Sequence, residues 1–430
     1  MNSQLGFHFK KSAVIKQKID FKLINNLIVI PIEINGKELS FILDTGVNKT
    51  ILFSLSKNDS VGLKDVKKVK LQGLGKGNPV DALLSKNNNL RINNIFSTNE
   101  TVYVILRDYF DLSSKMGTTI HGIIGYNLLK NLILKINYNS KKITFYNPKK
   151  FNYKNCRKCE IFPLEFYRKK PYIDVQVQLD TVGNTVTDVK MLIDSGGSDA
   201  IWLFEGTKET IQTPILFFND ILGEGLSGFI YGNRSRIPKM KIGSFVIEKP
   251  TVSFLDSLST RNARNFSKRN GSIGGNILKR FKVWIDYPNK KITLKKSASL
   301  KGGFNYNMSG LDVVYNGNKL VKIKDDTKII SYSKGDFTST SSKTISFTTN
   351  YSFKFLPSYK VDKVINGSVA DIAGIKSGDI ILKINGTSAH DLKLNDIIHK
   401  FQEKDGKKIK IEIKRGREVL KFNFRLKKRI

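Results

Sequence analysis

Along the first three hundred residues, apolar side chains recur mainly at every second position. Residues 28–34 (IVIPIEI), 132–136 and 173–179 (IDVQVQL) alternate apolar with polar, and clusters of Gly, Asn and Asp separate such runs. A period of two places one face of each segment inward, the signature of half-buried strands. The convincing helical patterns in this part are short, LLKNL and ILKRF, each following a glycine-rich segment. Beyond residue 294 the pattern changes to strand, short helix, strand and then a longer amphipathic helix over 392–401, with Leu392, Leu394, Ile397, Ile398 and Phe401 apolar at helical spacing. A mainly β region followed by an α+β domain is expected.

The β region repeats itself. FILDTGVNKTIL from Phe41 matches MLIDSGGSDAIW from Met191, an offset of 191 − 41 = 150. HGIIGYNLLKNLILKINYNSKKITF from His121 matches NGSIGGNILKRFKVWIDYPNKKITL from Asn270, an offset of 270 − 121 = 149. Two motifs in one order at one separation define two copies of one domain. The expected organisation is a lobe over 1–152, a second over 153–300 and a third domain over 301–430.

Each copy carries one chemistry-bearing turn, Asp44-Thr45-Gly46 and Asp194-Ser195-Gly196, directly after an apolar strand (FIL and MLI). An aspartate there is costly to bury unless it is hydrogen-bonded or paired, which marks it as functional. The glycine lets the chain turn sharply with its amides near the carboxylate, and the Thr or Ser hydroxyl can brace the neighbouring chain. If the copies face one another across a pseudo-two-fold, Asp44 and Asp194 become adjacent carboxyls that cannot both ionise. Such a pair offers an acid and a base at once, able to activate water against a peptide carbonyl.

The two D-[TS]-G turns, each followed about 80 residues later by an apolar-Gly segment (Ile123-Ile124-Gly125 and Ser272-Ile273-Gly274), resemble the pepsin and retropepsin-like aspartic proteases over roughly residues 20–300. The resemblance implies two β-barrel lobes forming a single-chain pseudo-dimer, with Asp44 and Asp194 catalytic, Thr45, Gly46, Ser195 and Gly196 supporting, and the Asp-bearing strand threaded through the later glycine segment. It also implies β-hairpin flaps over the cleft, for which Gly73, Leu74 and Gly75 in copy one and Gly223 and Gly225 in copy two are the candidates; the pepsin flap tyrosine is missing from the first. Pepsins carry Ser or Thr after the third motif residue, whereas Val47 and Gly197 stand here, closer to the retroviral branch. Loss of that donor shifts the expected pH optimum up, to about 5–6 rather than about 2.

In the last domain the string SVADIAGIKSGDIILKING resembles the PDZ domain in its bacterial form. The resemblance implies peptide or protein C-termini added as a strand, their carboxylate held by the loop Ser309, Gly310 and Leu311 after Met308, with Leu394 and Ile398 on the helical wall of the groove. The stretch 322–359 is longer and richer in Ser and Thr than usual. The combination is typical of bacteria, often in the cell envelope.

Charge and cysteine usage alter this picture little. The chain has 430 residues, 73 Lys+Arg against 37 Asp+Glu and a formal charge of +36. The cations are spread along the chain with Asn and Ile, as an AT-rich coding bias would produce, and no nucleic-acid-binding motif accompanies them, so no specific nucleic acid is expected. His8, His121, His390 and His399 lack ligand spacing, and neither metal nor cofactor is expected. Cys156 and Cys159 are either an inert pair or a local disulfide; a bridge would argue for an oxidising compartment. No apolar run is long enough to span a bilayer, and residues 1–18 lack the apolar core of a signal peptide. Cytoplasmic residence, or the envelope if a signal was omitted, both remain open. The expected function is an aspartic endopeptidase acting on polypeptides as a monomer. The rival is a non-catalytic adaptor that binds peptides through inactive lobes and the PDZ domain.

Overall fold

The computed structural model describes residues 6–11, 13–53, 55, 60–71, 78–106, 111–153, 155–180, 183, 185–225, 228–324, 329–330, 347–348 and 351–430. The chain divides into two compact units, one of residues 1–306 with 428–430 and one of residues 307–427.

In the first unit the two copies fold alike. Copy one forms a ring of strands in the order Ile95–Ile105, Thr50–Leu52, Gly122–Ile124, Lys37–Leu43, Leu27–Ile34 and Val80–Ile92, closed because the last pairs with the first. Copy two repeats it as Thr251–Leu255, Ile201–Phe204, Arg269–Ile273, Thr187–Ile193, Lys170–Gln178 and Lys239–Ile242. Closure here runs through a hairpin interrupted at Pro238 and Pro250, residues with no amide to give to a ladder. Bonds from Lys249 N–H to the Pro238 carbonyl (2.8 Å) and from Ile237 N–H to the Pro250 carbonyl (3.2 Å) carry the pairing across the gap.

Within each ring the Asp-bearing strand lies parallel to the glycine segment: Phe41, Ile42 and Leu43 face Gly122, Ile123 and Ile124, and Met191, Leu192 and Ile193 face Gly271, Ser272 and Ile273. Parallel pairing needs a long crossover, which the intervening ~80 residues supply. With a strand on each side, FIL and MLI are apolar throughout and buried, where a half-exposed strand would alternate.

The copies join in a six-stranded sheet ordered Cys159–Pro163, Lys291–Lys296, Phe281–Asp286, Ile133–Asn137, Lys142–Tyr146 and Lys16–Asp20. At its centre Lys135 pairs with Trp284, 149 positions later and hence its own repeat counterpart, so the local two-fold passes through this pair. The Lys135 ammonium sits 4.9 Å from the centre of the Trp284 ring. The helices after the glycines are single turns, Tyr126–Leu129 and Gly275–Leu278, shorter than and earlier than LLKNL and ILKRF suggest. The chain must leave the helix at once to enter the central strands at Ile133 and Phe281. Cys156 and Cys159 form a disulfide with Cα atoms 5.4 Å apart, closing a turn before the edge strand of that sheet.

The second unit is a sheet in the order Leu311–Lys324, Tyr351–Val364, Ile380–Ile384, Lys408–Arg415 and Glu418–Arg425, with helices Val369–Ile372 and Leu394–Lys400. Val313, Val361, Ile381, Ile397, Phe401, Ile411 and Ile413 are buried. Asp379, 1% exposed, is held by two bonds of 2.7 Å from Arg415. Among the described residues no helix is long and apolar enough to cross a membrane, and no group of His, Cys, Asp and Glu could hold a metal ion.

Candidate active site

The pseudo-two-fold brings both D-[TS]-G turns together. Each Asp amide is anchored to the glycine segment beside it, Asp44 N–H to the Ile124 carbonyl (2.8 Å) and Asp194 N–H to the Ile273 carbonyl (2.9 Å). The Thr45 hydroxyl donates to the Ile193 carbonyl (2.6 Å) and accepts the Ser195 amide (3.0 Å); the Ser195 hydroxyl donates to the Leu43 carbonyl (2.7 Å) and accepts the Thr45 amide (3.1 Å). Both hydroxyls are buried, and these four reciprocal bonds cross from one copy to the other, with Thr45 and Ser195 150 positions apart. They fix the separation of the two turns and thereby of the carboxyls they carry.

Those carboxyls meet. Asp44 hydrogen-bonds Asp194, and Gly46 N–H (2.6 Å) and Gly196 N–H (3.1 Å) each donate to the aspartate two residues earlier. Proximity demands glycine at 196, where a methyl group would overlap the Asp44 carboxyl, whereas one at 46 would stand 3.1 Å from an Asp194 oxygen and need only a small shift. At Gly125 and Gly274 a methyl would overlap the Asp44 and Asp199 carbonyls, which is why the glycine segments can lie against the turns. Burial, reinforced by the charge of Asp194, pushes the Asp44 carboxyl up to about 7; the Gly46 amide and the Lys170 ammonium oppose that rise. An Asp that keeps its proton near neutrality beside a second carboxyl is an acid next to a base.

Several surrounding groups escaped the sequence reading. Tyr287 lies buried with its hydroxyl 3.5 Å from the Thr45 carbonyl, and burial with the nearby Asp44 charge holds its phenol protonated. On the copy-two side, Asp199 accepts from Arg234 (3.0 Å), Trp202 Nε1 (2.8 Å) and Ser253 (3.1 Å), while Arg234 also donates to Asp220 (2.7 Å). Asp220 and Arg234 belong to the two strands of one hairpin, so this cluster ties the hairpin to the loop after Asp194. A small recess, with room for about one water molecule, opens there, lined by Asp194, Gly197, Asp199, Ile201, Trp202, Ser272 and Gly274.

The flap candidates fall unequally. Gly223 and Gly225 lie in an antiparallel hairpin of Phe218–Gly225 with Gly228–Arg236. Gly73, Leu74 and Gly75 lie outside the described residues; the strands before and after them, Lys64–Leu71 and Val80–Ile92, pair with each other.

In the second unit Ser309 is buried, its amide and hydroxyl both directed to Asn307 Oδ1 (3.0 and 2.7 Å), and its oxygen accepts the Leu311 amide (3.0 Å). Gly310 has φ +82°, and a side chain there would overlap Ser368. Leu311 and Leu394 are 1% and 3% exposed and belong to the core, whereas Ile398 keeps part of its surface exposed. The helix starts at Leu394, not 392, because Leu392 has extended backbone.

Residues 30–128 match the aspartyl protease family and residues 360–415 the PDZ domain family. The solved structure of an aspartic proteinase from Irpex lacteus aligns with 67% of this chain and 99% of its own, at 12% identity and a TM-score of 0.45. No curated protein matches the chain. The first unit thus carries a segment similar to the aspartyl protease family and the second a segment similar to the PDZ domain family.

Proposed function

We propose that the chain is an endopeptidase in which Asp44 and Asp194 share one proton and activate a water against a peptide carbonyl. The observation that carries this is the hydrogen-bonded carboxyl pair held by four reciprocal Thr45/Ser195 bonds, with Asp44 raised to about 7. A pair retaining one proton toward neutrality would use its ionised member as base for the water and its protonated member as acid to polarise the carbonyl. A merely binding cleft gains nothing from bearing the desolvation of two carboxyls. Residues 1–152 and 153–300 would be the two lobes, and the hairpin bearing Gly223 and Gly225 a flap over the substrate. The PDZ domain would bind peptide or protein C-termini and recruit substrate. The disulfide fits an oxidising compartment.

The test is cleavage of an unstructured protein by wild type, Asp44→Ala and Asp194→Asn, with pepstatin as probe. Cleavage lost in both variants and blocked by pepstatin is expected. Undiminished cleavage by either variant removes the dyad, and an inactive wild type across roughly pH 3–8 leaves the adaptor reading.

A further inference from the structure

The two copies differ where a hairpin from each approaches the carboxyl pair. In copy one Val29 pairs with Ile42, and in copy two Tyr172 pairs with Leu192. Ile42 and Leu192 are repeat equivalents, so Val29 corresponds to Tyr172, and Leu27, two residues earlier on the same strand face, corresponds to Lys170. Leu27 is 8% exposed and packs with Val29, Ile42 and Ile51, which is what the fold requires at this place. Copy two puts a part-buried lysine there.

Lys170 opens the strand Lys170–Gln178, directly after a turn whose residues Arg168 and Lys169 have φ of +48° and +68°. This turn is docked against copy one: Asn48, four residues beyond Asp44, donates to the Arg168 carbonyl (3.3 Å), and the Lys169 ammonium stands 5.2 Å from the centre of the Tyr126 ring. The placement brings the Lys170 ammonium within electrostatic reach of both Asp44 and Asp194, with Arg168 and the buried Arg269 as its cationic neighbours. Yet none of the ion pairs or hydrogen bonds among the described residues uses it. An ammonium group carries three donors, and burying it without a partner is unfavourable. Its ammonium makes no hydrogen bond or ion pair with either carboxyl, yet its charge is felt by both.

We propose that Lys170 determines specificity in the cleft by pairing with an acidic side chain of the substrate polypeptide next to the bond that is cut, an inference that rests on the protease reading above. An Asp or Glu there would give the ammonium the charge-assisted partner it lacks, in a setting with less water to screen the pair. A neutral side chain would leave the cation unpaired, so discrimination comes from both the gain and the avoided cost. Arg168 and Lys169 at the turn, and the net charge of +36, would draw acidic segments toward the cleft.

The test measures binding and needs no turnover: hydroxyethylene-isostere peptides, identical except for Glu, Gln or Lys at one of the four positions flanking the isostere, are titrated into the full chain by calorimetry at low salt. At one position the Glu peptide binds on the order of tenfold tighter than the Gln peptide. Lys170→Leu, which installs the copy-one residue, removes that ratio; Lys170→Arg keeps it, and Lys170→Glu reverses it in favour of a Lys peptide. Lys170→Gln serves if the leucine variant does not fold. A wild type without Glu preference at any position, or an unchanged ratio in Lys170→Leu or Lys170→Gln, overturns the proposal. Cleavage without acidic preference removes the selector and spares the protease; acidic preference in a chain that never cleaves does the reverse.

Discussion

The two copies agree in how they hold the carboxyl pair and differ in the side chains set around it. Thr45 and Ser195 make the same two bonds in opposite directions, and Gly125 and Gly274 each lie close against the equivalent carbonyls of Val47 and Gly197. By contrast Lys49, whose ammonium lies 4.4 Å from the centre of the Tyr103 ring, stands at the position where copy two has Asp199 bound to Arg234. Leu27 likewise stands opposite Lys170. On the proposed protease reading, the duplicated fold keeps two-fold symmetry where the two carboxyls would act as a pair. A polypeptide substrate would have direction, so on that reading symmetry around the pair would be free to be lost.

The largest expected effect tests the symmetric part. Asp44→Asn and Asp194→Asn should each lower kcat/KM by about 10³-fold or more, because neither carboxyl works without the other. Steady-state hydrolysis of a fluorogenic peptide measures it, and a tenfold difference between the two variants would show that the roles are unequal. Next comes the glycine comparison. Gly196→Ala drives a methyl into the Asp44 carboxyl, whereas Gly46→Ala needs a shift of only tenths of an ångström. Activity should fall roughly 10²-fold in the first and clearly less in the second; equal losses would mean that the turns move together.

Thr45→Val and Ser195→Ala each strip two cross-copy bonds and leave buried backbone groups unpaired. Each should cost about 2 kcal/mol in denaturant unfolding, and the double variant less than the sum because the bonds are shared. The smallest effect is a pH dependence. The native Asp44 carboxyl binds its proton more tightly than in the unfolded chain, so its contribution to stability is lost as pH rises from about 4 through about 7. Asp44→Asn cannot ionise and should melt about 2–4 °C above wild type at pH 8, with that advantage gone near pH 4. A gain that is the same at both pH values would place the cost elsewhere than in the buried charge.

The pair and its braces were legible because the repeat keeps one offset, 149 or 150, across both motifs, while the lie of the glycine segments beside the aspartates was what the family resemblance implied. If the copies face one another across a pseudo-two-fold, that offset makes Asp44 and Asp194 neighbours, and the structure has them so. Lys170 was not legible for the same reason: copy two carries seven more residues than copy one between its inner strand and its aspartate, so Leu27 and Lys170 correspond only through strand register, and the string RKKP reads as more surface charge. Asp199, Arg234 and Asp220 are 35 and 14 positions apart along the chain, and the hairpin alone brings them together. In the last domain, helical spacing named Leu394 and Ile398 alike, but spacing does not tell a buried side chain from a partly exposed one.

The most direct test of the account is the pH dependence of kcat/KM from pH 3 to 9 on a single peptide. A proton shared between Asp44 and Asp194 predicts a bell with its falling limb near pH 7, highest at about pH 5–6, and no comparable activity in Asp194→Asn at any pH. A rate that stays level or climbs beyond pH 8 would contradict it, because no acid of this pair would remain to polarise the carbonyl.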